Sequence, residues 1–141
     1  MQDQRIQDRA RELTEWYGEA MAPTLEQWQR VLSGPDDTPV TLVNFFKLRE
    51  ETEEGVSGLE SLMRYAAVSE PTLEKVGGRF LLRGRFETAF MGLEEDWDLI
   101  IVASYPDRAA LIALHSDEGY RAAWPHRVAP VERQRVAIAA G

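Results

Sequence analysis

The chain has 141 residues, a net charge of −8 from 24 acidic and 16 basic side chains, and no cysteine. The acidic balance argues against a duplex nucleic-acid binder and against docking on an anionic membrane, both of which need clustered Lys and Arg. The absence of thiols excludes disulfides, thiolate nucleophiles and thiolate metal sites, while an apolar content of 44% fits one globular domain with a real core.

Residues 3–21 predict an amphipathic helix, with Ile6, Ala10, Leu13, Trp16 or Tyr17, and Met21 at helical spacing and Pro23 as its breaker. This segment carries no apolar leader, and no stretch approaches the ~20 apolar residues of a membrane span, so a cytoplasmic protein is expected. Thr24 with Gln27 fits a capping box for a short helix over Leu25 to Leu32, stopped by Ser33-Gly34-Pro35. Val40 to Leu48 (VTLVNFFKL) predicts a strand apolar on both faces. Glu50 to Gly58 reads as an acidic loop. Ser57 with Glu60 fits a second capping box, opening a helix with Leu59, Leu62, Met63, Ala66 and Ala67 on its core face. Pro71 should kink or restart that helix, and Gly77-Gly78 should end it.

Arg79 to Met91 and Trp97 to Tyr105 predict a long β-hairpin around a polar turn at Gly92 to Asp96. Alternation puts Arg79, Arg83 and Arg85 on one side of its first strand, and Phe80, Leu82, Gly84 and Phe86 on the other. Asp107 predicts the N-cap of a helix over Arg108 to His115, and Ser116 that of a further helix interrupted by Pro125. A last strand falls within Val131 to Ala139.

From residue 38 the order is strand, helix, strand, strand, helix, strand. That is the split β-α-β pattern of an α+β, ferredoxin-like fold: four antiparallel strands with helices on one face. The other face is apolar as well, so two copies packing sheet to sheet would cover it and form a dimeric α+β barrel. Residues 1–37 form a helical arm outside this unit, residues 38–141.

The ordered set Val43 to Arg49, Arg64 to Pro71, Gly77 to Gly84, Trp97 to Ala110 and Tyr120 with His126-Arg127 resembles an uncharacterised, domain-of-unknown-function branch of the dimeric α+β-barrel superfamily. The resemblance covers about residues 38–138. It implies the ferredoxin-like fold and a homodimer. Better-known members of the superfamily include cofactor-independent quinone-forming monooxygenases, muconolactone isomerase, proteins of ether degradation and haem-binding chlorite dismutases. The proximal histidine setting of the last group is not found here.

Asn44 is the polar residue of an apolar strand, on the side of Leu42, Phe46 and Leu48. Its amide either serves a substrate oxygen or makes a structural bond to neighbouring backbone. Arg83 and Arg85 could hold a carboxylate or phenolate, or pair with acids. Tyr105 offers a hydroxyl on the hairpin's second strand, Trp97 an aromatic wall or a packed rim, and Tyr65 and Tyr120 polar-tipped aromatics that reach a cavity or line it. Histidine is the side chain whose unperturbed pKa lies near neutrality, and the chain has two, His115 and His126; His126, next to Arg127 in the segment that carries the resemblance, is the better-placed proton carrier. No metal-ligand spacing and no phosphate loop is present, so neither metal nor cofactor is expected.

Two functions follow. One is a cofactor-free enzyme, a monooxygenase or isomerase by resemblance, on a small hydrophobic or aromatic molecule with an enolisable or phenolic oxygen. There Asn44 and an arginine hold the oxyanion, and His126 or Tyr105 moves the proton. The other is a non-catalytic binding or assembly protein whose cavity its own side chains fill.

Overall fold

The computed structural model of the chain describes residues 2–141. It contains helices α1 (Gln2–Tyr17) and α2 (Leu25–Ser33), strand β1 (Val40–Leu48), helix α3 (Gly58–Lys75), strands β2 (Arg79–Arg85) and β3 (Leu99–Tyr105), helices α4 (Arg108–Ser116), α5 (Glu118–Ala123) and α6 (Pro125–Val128), and strand β4 (Val131–Ala140). The four strands form one antiparallel sheet in the order β2-β3-β1-β4. This is the expected α+β, ferredoxin-like arrangement.

The local signals that acted through backbone hydrogen bonding are present. Thr24 and Gln27 close their capping box at 3.1 and 2.9 Å. Asp107 accepts the amide of Ala110 at 2.7 Å. Gly77, in the left-handed region at φ 91°, sends its amide to Glu74, and Gly78 sends its own to Leu73 at 2.8 Å. This pair of bonds is a Schellman stop for α3.

Other expectations need correction. Helix α1 ends at Tyr17 rather than Met21, because Gly18 turns left-handed at φ 71° well before Pro23. Helix α3 runs through Pro71 as one element instead of restarting. The hairpin is shorter than expected: β2 stops at Arg85 and β3 starts at Leu99. Between them the Glu94 carboxylate takes the Thr88 hydroxyl and the Ala89 amide, both at 3.0 Å, which closes an irregular loop. Asp117, not Ser116, caps α5, through the Tyr120 amide at 2.9 Å; the Ser116 hydroxyl donates back to Ile112. The core face of α3 is also rotated. Leu62, Leu73 and the small Ser61 and Ser69 are buried, whereas Leu59 and Met63 are 54% and 62% exposed.

A register shift between Phe80 and Leu82 matters most. It is a bulge, and a one-residue slip moves every later side chain to the other face. Arg79 pairs with Ser104, while Arg83 and Arg85 pair with Ile101 and Leu99. The three arginines therefore do not share a side. Arg83 and Arg85 lie on the helix-covered side with Phe80, and Arg79 lies on the open side with Leu82 and Gly84.

The core forms between sheet and helices. Val40, Leu73, Ala103, Tyr105, Ala110, Leu111 and Leu114 pack there with Ala10, Leu13, Tyr17 and Trp28. The last four come from α1 and α2, so the arm shares the core of the ferredoxin-like unit. The opposite side of the sheet carries Val43, Phe45, Ile100 and Val102, all half-buried. Among the described residues no helix is long and apolar enough to cross a membrane.

Candidate functional site

On the helix-covered side Asn44 stands opposite Ile101 on β3 and Val136 on β4. One position along that face, Phe46 stands opposite Leu99 and Gln134. The Asn44 amide nitrogen donates to the Ile101 carbonyl at 2.9 Å. Its side-chain oxygen accepts no bond among the described residues.

Arg127 reaches this face from α6. Its guanidinium carbon lies 4.9 Å from the centre of the Phe46 ring and 4.7 Å from that of Trp124. Nη1 donates to Gln134 Oε1 at 2.8 Å and weakly to the Met21 carbonyl at 3.4 Å. Arg127 is 6% exposed, the one buried Lys or Arg among the described residues.

Tyrosines gather beside it. The hydroxyls of Tyr65 (α3) and Tyr120 (α5) are 2.5 Å apart. Tyr105 is buried at the end of β3, opposite Val40. Burial pushes the Tyr105 and Tyr120 phenols up from their usual range and Tyr65 adds to this, while the Arg127 charge opposes it. Both are neutral hydroxyls at neutral pH: competent donors and poor bases.

His115 occupies the joint between arm and sheet domain. Its ring lies 5.6 Å from Tyr17, 5.3 Å from Trp28 and 5.2 Å from Tyr120. Burial lowers its pKa to about 4, against a hydrogen bond to the Leu111 carbonyl, and Arg127 lowers it further. His126 is half-buried on α6, and its main-chain carbonyl accepts the Ser61 hydroxyl at 3.1 Å. Adjacent residues of a helix point apart, so His126 does not share the direction of Arg127.

The other expected residues lie further out. Arg83 pairs with Glu70 of α3 and covers the Phe80 ring at 4.9 Å. Arg85 is exposed on the same edge strand. Trp97 is buried on the opposite side of the sheet, 5.8 Å from Phe45 and 4.4 Å beneath Arg133. The fold thus brings Asn44, Tyr65, Tyr105, Tyr120 and Arg127 to the helix side and leaves Trp97 apart. Open grooves of about 420 and 390 Å³ lie along the arm, and none of these residues lines them.

Sequence reading missed Gln134, Phe46 and Trp124 as surroundings of Arg127. Gln134 carried a usable signal: it is a polar side chain in phase with the apolar Val136 and Ile138 on β4. Among the described residues no cluster of His, Asp or Glu suits a metal.

Fold and site together define a ferredoxin-like α+β domain with a helix-covered, donor-rich core site. The chain belongs to the family described as Domain of unknown function (DUF1330), whose model matches residues 53–141. No curated protein matches it. A protein of unknown function from Rhodopseudomonas palustris is 30% identical, covers 86% of this chain and 96% of its own, and superposes with a TM-score of 0.80. Its methylated form gives 30% identity, 89% and 96% coverage, and a TM-score of 0.79. These matches exceed what residues 38–141 alone can supply, so part of the arm is shared. A dimeric protein of unknown function and ferredoxin-like fold from Bacteroides fragilis is 15% identical, covering 76% of this chain and all of its own, with a TM-score of 0.50.

Proposed function

We propose that the chain binds a compact hydrophobic or aromatic molecule with an enolisable or phenolic oxygen between sheet and helices. The observation that carries this reading is the placement of Asn44 and Arg127, one from the sheet and one from a helix, on the same side of β1: Arg127 lies on the Phe46 ring, and Asn44 is the next residue along that face. A cation and an amide at such a place stabilise an oxyanion. Cofactor-free isomerisation or oxygenation is the reaction class that the superfamily resemblance favours. Tyr105 or His126 carries the proton in that reading. Tyr65 and Tyr120 wall the site, and Arg83 and Arg85 flank its edge.

The partner of the fold is a second copy of the chain. Val43, Phe45, Ile100 and Val102 leave an apolar sheet face that one copy does not cover, and the Bacteroides fragilis neighbour is described as dimeric.

A second reading has its own support. Tyr105, Tyr120, Trp124 and Phe46 are all buried, so side chains fill the site as it stands. In that reading the protein is a non-catalytic binding or assembly module.

A thermal-shift panel of planar phenols, quinones, lactones and small hydrophobic acids separates the two. A ligand at 100-fold its dissociation constant stabilises by ~2.7 kcal/mol, a shift of several degrees. The first reading expects a hit that is lost in Asn44→Ala. The second expects no hit, with Asn44→Ala costing ~1 kcal/mol for its bond to Ile101.

A further inference from the structure

We infer that the natural ligand of this site arrives already ionised, as an organic acid whose carboxylate pairs with Arg127. This rests on the reading that the site binds a small molecule, and it names the class.

Arg127 carries the argument. A guanidinium stays charged at any working pH, and a buried charge is normally paired. Arg127 makes no ion pair with a described Asp or Glu. That is notable in a chain with 24 acidic residues. Its two acceptors, Gln134 Oε1 and the Met21 carbonyl, are neutral and share one nitrogen, Nη1. Nε and Nη2 donate to no protein atom among the described residues. They are also absent from the fully enclosed, unpartnered polar atoms, so they face space that solvent reaches. Two adjacent N–H groups of one guanidinium match the two oxygens of a carboxylate.

The surroundings point the same way. Trp124, whose ring faces the guanidinium, has a buried indole N–H with no acceptor. The Tyr65 and Tyr120 hydroxyls bond each other and keep one proton to donate beyond that bond. The groups left without a partner around Arg127 are donors, and what satisfies them is an acceptor with negative charge. A phenol or ketone would be neutral on entry and would leave Arg127 unpaired until reaction. A carboxylic acid is ionised beforehand.

The experiment is calorimetric titration of the whole protein at neutral pH with benzoate, benzamide and phenol, three probes of nearly one shape. Benzoate should bind at least about tenfold more tightly than either neutral probe, as a charge-assisted pair requires. That preference should vanish in Arg127→Gln and persist in Arg108→Gln, a control at an unrelated arginine. Equal binding of all three probes would overturn the acid assignment and leave the binding site standing. Binding of none at millimolar concentration would overturn both. The wild-type comparison alone decides between these outcomes if Arg127→Gln folds poorly.

Discussion

Arg127 on α6 donates 2.8 Å to Gln134 on β4, and that bond joins the last helix to the face of the sheet that holds Phe46 and Asn44. The bond is neutral on one side. It holds the guanidinium in place without neutralising it.

This predicts an unusual response to Arg127→Met. Met has a similar length and no charge to bury. The change removes the hydrogen bond to Gln134, worth ~1 kcal/mol, the weak one to the Met21 carbonyl and two cation–π contacts, but it also relieves the desolvated charge. Ligand-free stability by urea unfolding, at fixed protein concentration, should fall by no more than ~1 kcal/mol and can rise. Binding of benzoate should be lost in the same variant. A loss above ~3 kcal/mol would mean that the charge is paired within the protein.

His115 predicts a pH dependence. Its folded pKa, about 4, lies below the unfolded value near 6.5. Between those values the unfolded chain binds a proton that the folded chain does not. Stability is therefore fully present above pH ~6.5 and falls as pH drops toward ~4, by on the order of 3 kcal/mol for this residue. His115→Phe keeps a ring in the Tyr17–Trp28–Tyr120 setting and should flatten that part of the profile. Parallel wild-type and variant profiles over pH 4–6.5 would contradict the buried, neutral assignment.

The fold was legible because its signals are local and repeated. Alternation and length place β1, and caps at Thr24, Asp107 and Gly77 mark ends by hydrogen bonds within a few residues. The misreadings have physical causes. The bulge after Phe80 inverts the phase of β2, and nothing in RFLLRGR marks where a strand gains a residue. Leu59 and Met63 fit a helical stripe, but tertiary packing selects Leu62 and Leu73 instead. Asn44 and Arg127 were each recognisable as candidates. Their approach was not, because 83 positions of chain separate them and only the sheet register and the α6 turn bring them together.

The uncovered sheet face predicts the assembly. Light scattering should give twice 16.0 kDa for the wild type. Val102 lies at the centre of that face, opposite Val43 and Leu82. Val102→Arg places a charge in an apolar contact and should give a folded species of 16.0 kDa. A wild-type mass of one protomer across micromolar concentrations would rule out the sheet-to-sheet dimer.

The most direct test of the site is its location. The experiment follows the indole N–H signals of the four tryptophans by NMR, with single Trp→Phe changes to assign them. Trp124 lies against Arg127 on the helix side, and Trp97 lies under Arg133 on the open side. On titration with the tightest ligand of the thermal-shift panel, the Trp124 signal should move in proportion to occupancy while Trp97 stays in place. A shift confined to Trp97, with Trp124 unmoved, would place the ligand on the open sheet face and contradict the account.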